Sequence, residues 1–144
     1  PHGTQESEMR YYAVLDTNVL VSAMLKGTSI PGIIVDQALN RVIIPLVNSE
    51  IILEYREVLS RKKFSFAQQD VDVLIEQLSK RAVFLDRTKS SDVFPDPDDV
   101  VFYEITLTAR KDADAWLVTG NKKHFPAKSF VVSPREMLDI IESE

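Results

Sequence analysis

Residues 11–20, YYAVLDTNVL, run from four apolar or aromatic residues and an alanine straight into a carboxylate, Asp16, and at once into a second apolar run, Val19 to Leu25. A buried strand that delivers an acid to its own carboxyl end and then turns into a helix is where an open α/β sheet places its site. The Asp16-Thr17-Asn18 step has a second reading as a helix cap, because these residue types before an apolar helix are good capping residues. Taken alone it supports both.

Outward from that stretch, Lys26 to Ser29 breaks the apolar run, so a short helix ends near Gly27. Ile30-Pro31-Gly32 restarts the chain, and Ile33, Ile34, Gln37 and Ala38 recur at helical spacing up to Asn40. Val42 to Val47 reads as a second buried strand, in which Pro45 suits an edge or irregular position. Asn48 or Ser49 caps the next helix, where Ile51, Ile52, Tyr55, Val58 and Leu59 make one apolar face. At about 100° per residue Glu54 falls on the shoulder of that face, from which a carboxylate can look into a cleft. Ser65 and Gln68 form a capping box for a third long helix, striped with Val71, Leu74, Ile75, Leu78 and Ala82.

Ala82 to Leu85 is a short strand and Asp86 to Pro97 a loop. Its end, Phe94-Pro95-Asp96-Pro97-Asp98-Asp99, bars a helix interior with two prolines, while its aspartates can cap the helix from Val100 to Arg110. Ala113 to Val118 is a strand that stops at Thr119-Gly120-Asn121; a turn with Lys122, Lys123, His124 and Phe125 follows, then a last strand, Phe130 to Val132. Ser133-Pro134-Arg135-Glu136 is a capping box with proline at the first helical position of the final helix. Strands that alternate with helices and lack hairpin turns imply a parallel sheet covered on both faces and wound right-handed. Loops at the carboxyl ends of such strands gather, which would bring together Asp16, Asp98-Asp99 and Thr119 to Asn121.

The 144 residues suit one domain, and 44% hydrophobic with 27% charged residues is ordinary for a globular chain. The absence of cysteine removes disulfides, thiolate metal sites and cysteine nucleophiles, and suits a reducing cytosol. No apolar run approaches the ~18 residues of a membrane span. A net charge of −5 argues against holding nucleic acid by bulk electrostatics while leaving room for local basic patches. Pro1 to Glu8 is polar and Met9 stands just before the first strand like a natural start, so residues 1–8 read as an expression remnant and 9–144 as one domain.

Each acid has a plainer reading beside the functional one: Asp16 a cap, Glu54 an exposed helix glutamate, and one of Asp96, Asp98 and Asp99 a turn cap. Together they weigh more. Two carboxylates about 4 Å apart repel by roughly 4 kcal/mol at an effective dielectric near 20, so a cluster takes up protons or binds a cation. Hard divalent ions prefer such oxygen ligands and can activate water against a phosphoryl group. His2 and His124 are too few for a zinc site; Gly27, Gly32 and Gly120 are isolated, so no phosphate-binding glycine loop is present; and no serine sits in a nucleophile elbow. Lys122-Lys123, if it flanks the acids, could hold a phosphate backbone.

The ordered set VLDTNVLVSA, SEIILEY, DPDDVVFYE and ADAWLVTGNKKHF resembles the PIN-domain family, in particular its members classed as toxins of toxin–antitoxin systems. The resemblance covers nearly all of 9–144. It implies a small three-layer α/β/α sandwich with a mainly parallel sheet, and Mg²⁺- or Mn²⁺-dependent hydrolysis of phosphodiester bonds in single-stranded RNA. The family's acids fall on Asp16, Glu54 and Asp99 as metal-binding and catalytic residues, with Asp98 the near rival of Asp99. Thr17, Asn18 and Thr119 would support the acids by hydrogen bonds. Where the family commonly has another aspartate this chain has Asn121, which brings no charge; Glu104, one turn on from Asp99, is the candidate to compensate. The resemblance further implies RNA as partner, an antitoxin covering the cleft and a homodimer, while the lack of a long apolar run and of cysteine leads to the expectation of no membrane and a cytoplasmic location. A catalytically silent module of the same fold that binds RNA or protein is the alternative that Asn121 motivates. A phosphate-transfer module of receiver or haloacid-dehalogenase type fits less well, because Asn18 stands where the dehalogenase pattern wants a second aspartate.

Overall fold

The computed structural model describes residues 9–143, so the reading of residues 1–8 as a remnant lies outside the described residues. Strand β1, Tyr11–Leu15, is followed by helices α1, Thr17–Leu25, and α2, Ile30–Leu39, and then by β2, Ile43–Val47. Helices α3, Ser49–Leu59, and α4, Gln68–Arg81, lead to the short β3, Val83–Phe84. Helix α5, Val100–Arg110, returns the chain to β4, Ala115–Val118; β5, Val131–Val132, and α6, Pro134–Glu142, complete it. All pairings are parallel, in the order β3-β2-β1-β4-β5. With six helices against the sheet this is the three-layer α/β/α sandwich.

The chain builds outward from β1 to β3 and then crosses back to β4 on the other side of β1. Between β1 and β4 the winding direction reverses, and at such a point the loops after the two strands part to leave a crevice. Asp16 follows β1 and Thr119 follows β4, in register Leu15 to Val118. Helix α5 packs across β1, β2 and β4, while α2 packs against β2 and α6. Ala13, Val14, Leu15, Ile43, Leu46, Val47, Leu117 and Val118 are all buried, so the central strands are apolar on both faces, as a covered parallel sheet requires.

Pro45 does not mark an edge: β2 lies between β1 and β3. The backbone bonds from Tyr11 N to Val42 O and from Leu85 N to Val47 O place even-numbered residues of β2 toward β1 and odd-numbered ones toward β3. Pairing with β3 begins only at Leu46 opposite Val83, so the missing N–H of Pro45 points where no strand yet runs.

Two capping expectations part company. The Ser133–Glu136 box forms in both directions. The Ser65–Gln68 box does not: Ser65 adopts φ 56° and closes the 3₁₀ turn Lys62–Phe64, and the Gln68 amide donates to Asp72 instead. A residue already serving as the end of one turn cannot also present the extended backbone of an N-cap. The corner between α1 and α2 bends by 106°. It is tight enough that a Cβ at Gly32 would collide with the carbonyl of Gly27, whereas Ser29 Oγ accepts from Gly32 N at 3.2 Å. Among the described residues no single helix is long and apolar enough to cross a membrane.

Candidate active site

Asp16 is 7% exposed, and both its oxygens are bonded. Oδ1 accepts from Thr17 N at 2.8 Å, so the cap reading is true in part. Oδ2 accepts from the hydroxyl of Thr119 at 2.8 Å, a bond across the crevice that no cap needs. Asn18 Oδ1 accepts from Gly120 N at 3.1 Å and ties the same two loops a second time. Burial pushes the Asp16 carboxyl above its ordinary value; the Thr119 and Thr17 donors and the His124 charge oppose this without cancelling it.

Glu54 is brought in by α3. Asn48 caps that helix through Ile51 N at 2.9 Å, and the buried Tyr55 donates its hydroxyl to Leu15 O at 2.6 Å, pinning the middle of α3 to the end of β1. The carboxyl of Glu54 is half-buried and raised, first by desolvation and then by the charges of Asp98, Glu57 and Asp16, with Arg61 opposing.

The DPDD segment divides its labour. Asp96 Oδ1 accepts from Asp98 N at 2.9 Å and caps the 3₁₀ turn Pro97–Asp99, so Asp96 is the aspartate whose side chain is taken up as a turn cap. Asp98 is exposed, and its charge acts on Glu54. Asp99 precedes α5 without a side-chain cap bond, which leaves its carboxylate for the crevice, where it is 15% exposed. Its pKa is pushed up to about 6 by desolvation and by Asp16, Asp96 and Glu54, with His124 opposing. Phe94 holds the segment in place, edge-on to Tyr103 of α5 at 5.4 Å and to Phe125 at 6.1 Å between ring centres.

The residue that sequence reasoning passed over is His124. Thr119 Oγ1 accepts from Asn121 N at 3.0 Å, the Asn121 amide nitrogen lies 3.0 Å from His124 Nε2, and His124 Nδ1 stands 3.4 Å from Asp99 Oδ2. In the neutral ring, an amide that donates to Nε2 leaves the proton on Nδ1, the nitrogen nearest Asp99. Asp16, Thr119, Asn121, His124 and Asp99 thus form one polar chain around the crevice. Its signal in the sequence was the Asn-x-x-His spacing, which sets both side chains on one side of the 3₁₀ turn Lys122–His124.

Glu104 does not join the acids. It is buried, but its oxygens accept from Arg87 Nε at 2.7 Å and Ser90 N at 2.8 Å, and Arg87 also bonds Glu50 at 2.9 Å. Fixed by a guanidinium and a backbone amide, it fastens residues 87–90 to α5 and cannot stand in for the charge that Asn121 lacks. Among the described residues the buried Thr17 hydroxyl has no hydrogen-bond partner, and neither does Asp99 Oδ2, whose 3.4 Å approach to His124 does not meet hydrogen-bond geometry.

The chemistry of this set suits a divalent cation. Burial is the first cause that raises each of the three acids, the charge of Asp16 adds to it at Glu54 and Asp99, and a buried carboxylate oxygen of Asp99 without a hydrogen-bond partner among the described residues lies beside them. As the side chains stand, no three acids or histidines among the described residues close around one point tightly enough to be a finished ligand set.

Fold and site together define a parallel α/β domain with carboxylates gathered at its switch point. The PIN-domain family model matches residues 12–123, most of the chain, and the chain belongs to that family. PIN domains are in general nucleases, and typically bind divalent metals. Neither the curated proteins nor the solved structures yield a match.

Proposed function

We propose that this chain is an endoribonuclease that uses Mg²⁺ or Mn²⁺ to hydrolyse phosphodiester bonds in single-stranded RNA, as the toxin of a toxin–antitoxin pair. The observation that carries the reading is the meeting of acids from separate segments at the crevice, Asp16 held by Thr119 from across it and Asp99 with a buried Oδ2 that has no hydrogen-bond partner among the described residues. Asp16 and Asp99 would hold the ion and Glu54 would join them or orient the attacking water. The ion, when bound, supplies charge to stabilise the phosphoryl oxygens and to activate water. Thr119 and the Thr17 amide fix the Asp16 carboxylate, Asn18 holds the loops after β1 and β4 together, and Asn121 supports the site through His124. A small antitoxin covering the acidic crevice, a homodimer and a cytoplasmic setting belong to the same reading.

The neutral Asn121 and the unfinished ligand set favour a second reading, a catalytically silent module that binds RNA or protein. Cleavage of a labelled single strand separates the two. Under the first reading, Mn²⁺ starts cleavage, chelator stops it, and Asp16→Asn abolishes it while the circular dichroism spectrum is kept. Undiminished cleavage by the variant or in excess chelator refutes the enzyme mechanism; RNA binding with no cleavage and no metal uptake by calorimetry establishes the silent module.

A further inference from the structure

Immediately beyond His124 the chain borders an open surface cavity of about 260 Å³, lined by Lys122, Lys123, Phe125, Pro126, Ala127, Lys128 and Val131. Its floor is apolar and fixed: Phe125 and Val131 are buried, and backbone bonds from Phe125 N to Lys122 O and from Val131 N to Lys128 O close the turns on either side. Its rim is cationic. Lys122 is held by Glu136 at 2.9 Å, whereas Lys123 and Lys128 are exposed and make no ion pair among the described residues.

We propose that this cavity is a nucleotide subsite: it takes one unpaired base of the single strand over Phe125, Pro126 and Val131, with the adjoining phosphates on Lys123 and Lys128. The inference rests on the nuclease reading for what lies next door, and three features favour this occupant. The cavity is smaller than the ~300–1,000 Å³ of pockets for drug-sized ligands, which suits one ring system. Lysine ammonium groups above an apolar floor match a nucleotide, a flat base joined to an anion, better than a purely apolar or purely anionic ligand. Lys123 is next in sequence to His124, which stands 3.4 Å from Asp99, and Phe125 of the floor packs against Phe94 of the segment that leads to Asp99, so the cavity borders the loops that carry the acids. A base enters such a cavity only when out of the stack, so the subsite selects single strands over duplex. It also answers the net charge of −5, since the hold on RNA is local.

The test is anisotropy of a fluorescein-labelled RNA 10-mer with the full chain in chelator, so that binding is read without cleavage, at 50 to 200 mM KCl. Two phosphate contacts on a single strand carry a salt slope of about 1.4, so over this range the wild type should lose about sevenfold more affinity than Lys123→Ala/Lys128→Ala. Ala127→Glu, an exposed position on the cavity wall, should weaken single-strand binding more than tenfold, and a duplex of equal length should bind weakly and respond to neither change. Lys80→Ala/Lys111→Ala, which removes the same charge at the amino edge of the sheet, should have little effect. The subsite is overturned if the cavity variants bind as the wild type does, if the distant pair loses as much, or if duplex binds equally well. Loss of binding in the cavity variants of a protein that never cleaves would sink the nuclease reading alone; metal-dependent cleavage with unchanged binding and KM in those variants would sink the subsite alone.

Discussion

Replacing Asp99 by asparagine should stabilise the protein while ending its activity. The carboxyl of Asp99 is raised from 3.8 to about 6, first by desolvation and then by its acidic neighbours. A shift of roughly two units corresponds to about 3 kcal/mol of unfavourable charge at neutral pH; because the crevice opens to water, about half of that is a fair expectation for the variant. For a domain of this size about 1.5 kcal/mol raises Tm by roughly 3–6 °C. The sign follows from linkage. A carboxyl raised in the folded state binds its proton more tightly there than in the unfolded chain, so the wild type loses stability as pH climbs from about 4 through about 6. The asparagine side chain keeps the shape, carries no charge and can accept from His124 Nδ1. Thermal unfolding followed by circular dichroism in chelator should therefore show Asp99→Asn more stable than wild type at pH 7.5, and the gap should close by pH 4. Saturating Mn²⁺ should reverse the order, because an ion bound only by the folded wild type at a hundred times its Kd adds about 2.7 kcal/mol. A variant that is less stable at pH 7.5, or whose advantage is the same at pH 4, would refute the account of a carboxyl raised by burial and by its acidic neighbours.

Thr119→Val removes the hydroxyl that donates to Asp16 Oδ2 and accepts from Asn121 N, and should raise the Asp16 carboxyl further. Losing a bond to a charged group costs about 1.5–3 kcal/mol, which should move the acidic limb of the pH–rate profile upward by about one to two units; an unmoved limb would show that Thr119 does not set the charge of Asp16. Glu104→Ala leaves Ser90 N without its acceptor and should destabilise the fold by about 1.5–3 kcal/mol in urea denaturation, with cleavage per folded molecule kept. Lost cleavage in a stably folded Glu104→Ala protein would return that residue to the site.

What could be seen in the sequence was what local periodicity and local chemistry encode. The apolar run ending at Asp16, the stripe that sets Glu54 on the shoulder of α3, and the capping box at Ser133 are patterns within a few residues of one another, and helix and strand periods are fixed by the backbone whatever the tertiary context. Alternating strands and helices then sufficed for a parallel sheet with its acids at one edge.

The tertiary structure decided which of those acids are free to act. Asp96 was distinguished from Asp99 only by which carboxylate reaches a backbone N–H in the turn. Glu104 left the site because Arg87, 17 residues away, claims it, and His124 entered because β4 delivers it beside an aspartate from the start of α5. The bond from Thr119 to Asp16 spans 103 residues. A charge and its partner meet through space, so the sequence alone could name the carboxylates, but only the folded chain could assign their neighbours, and the neighbours set which of them is already paired.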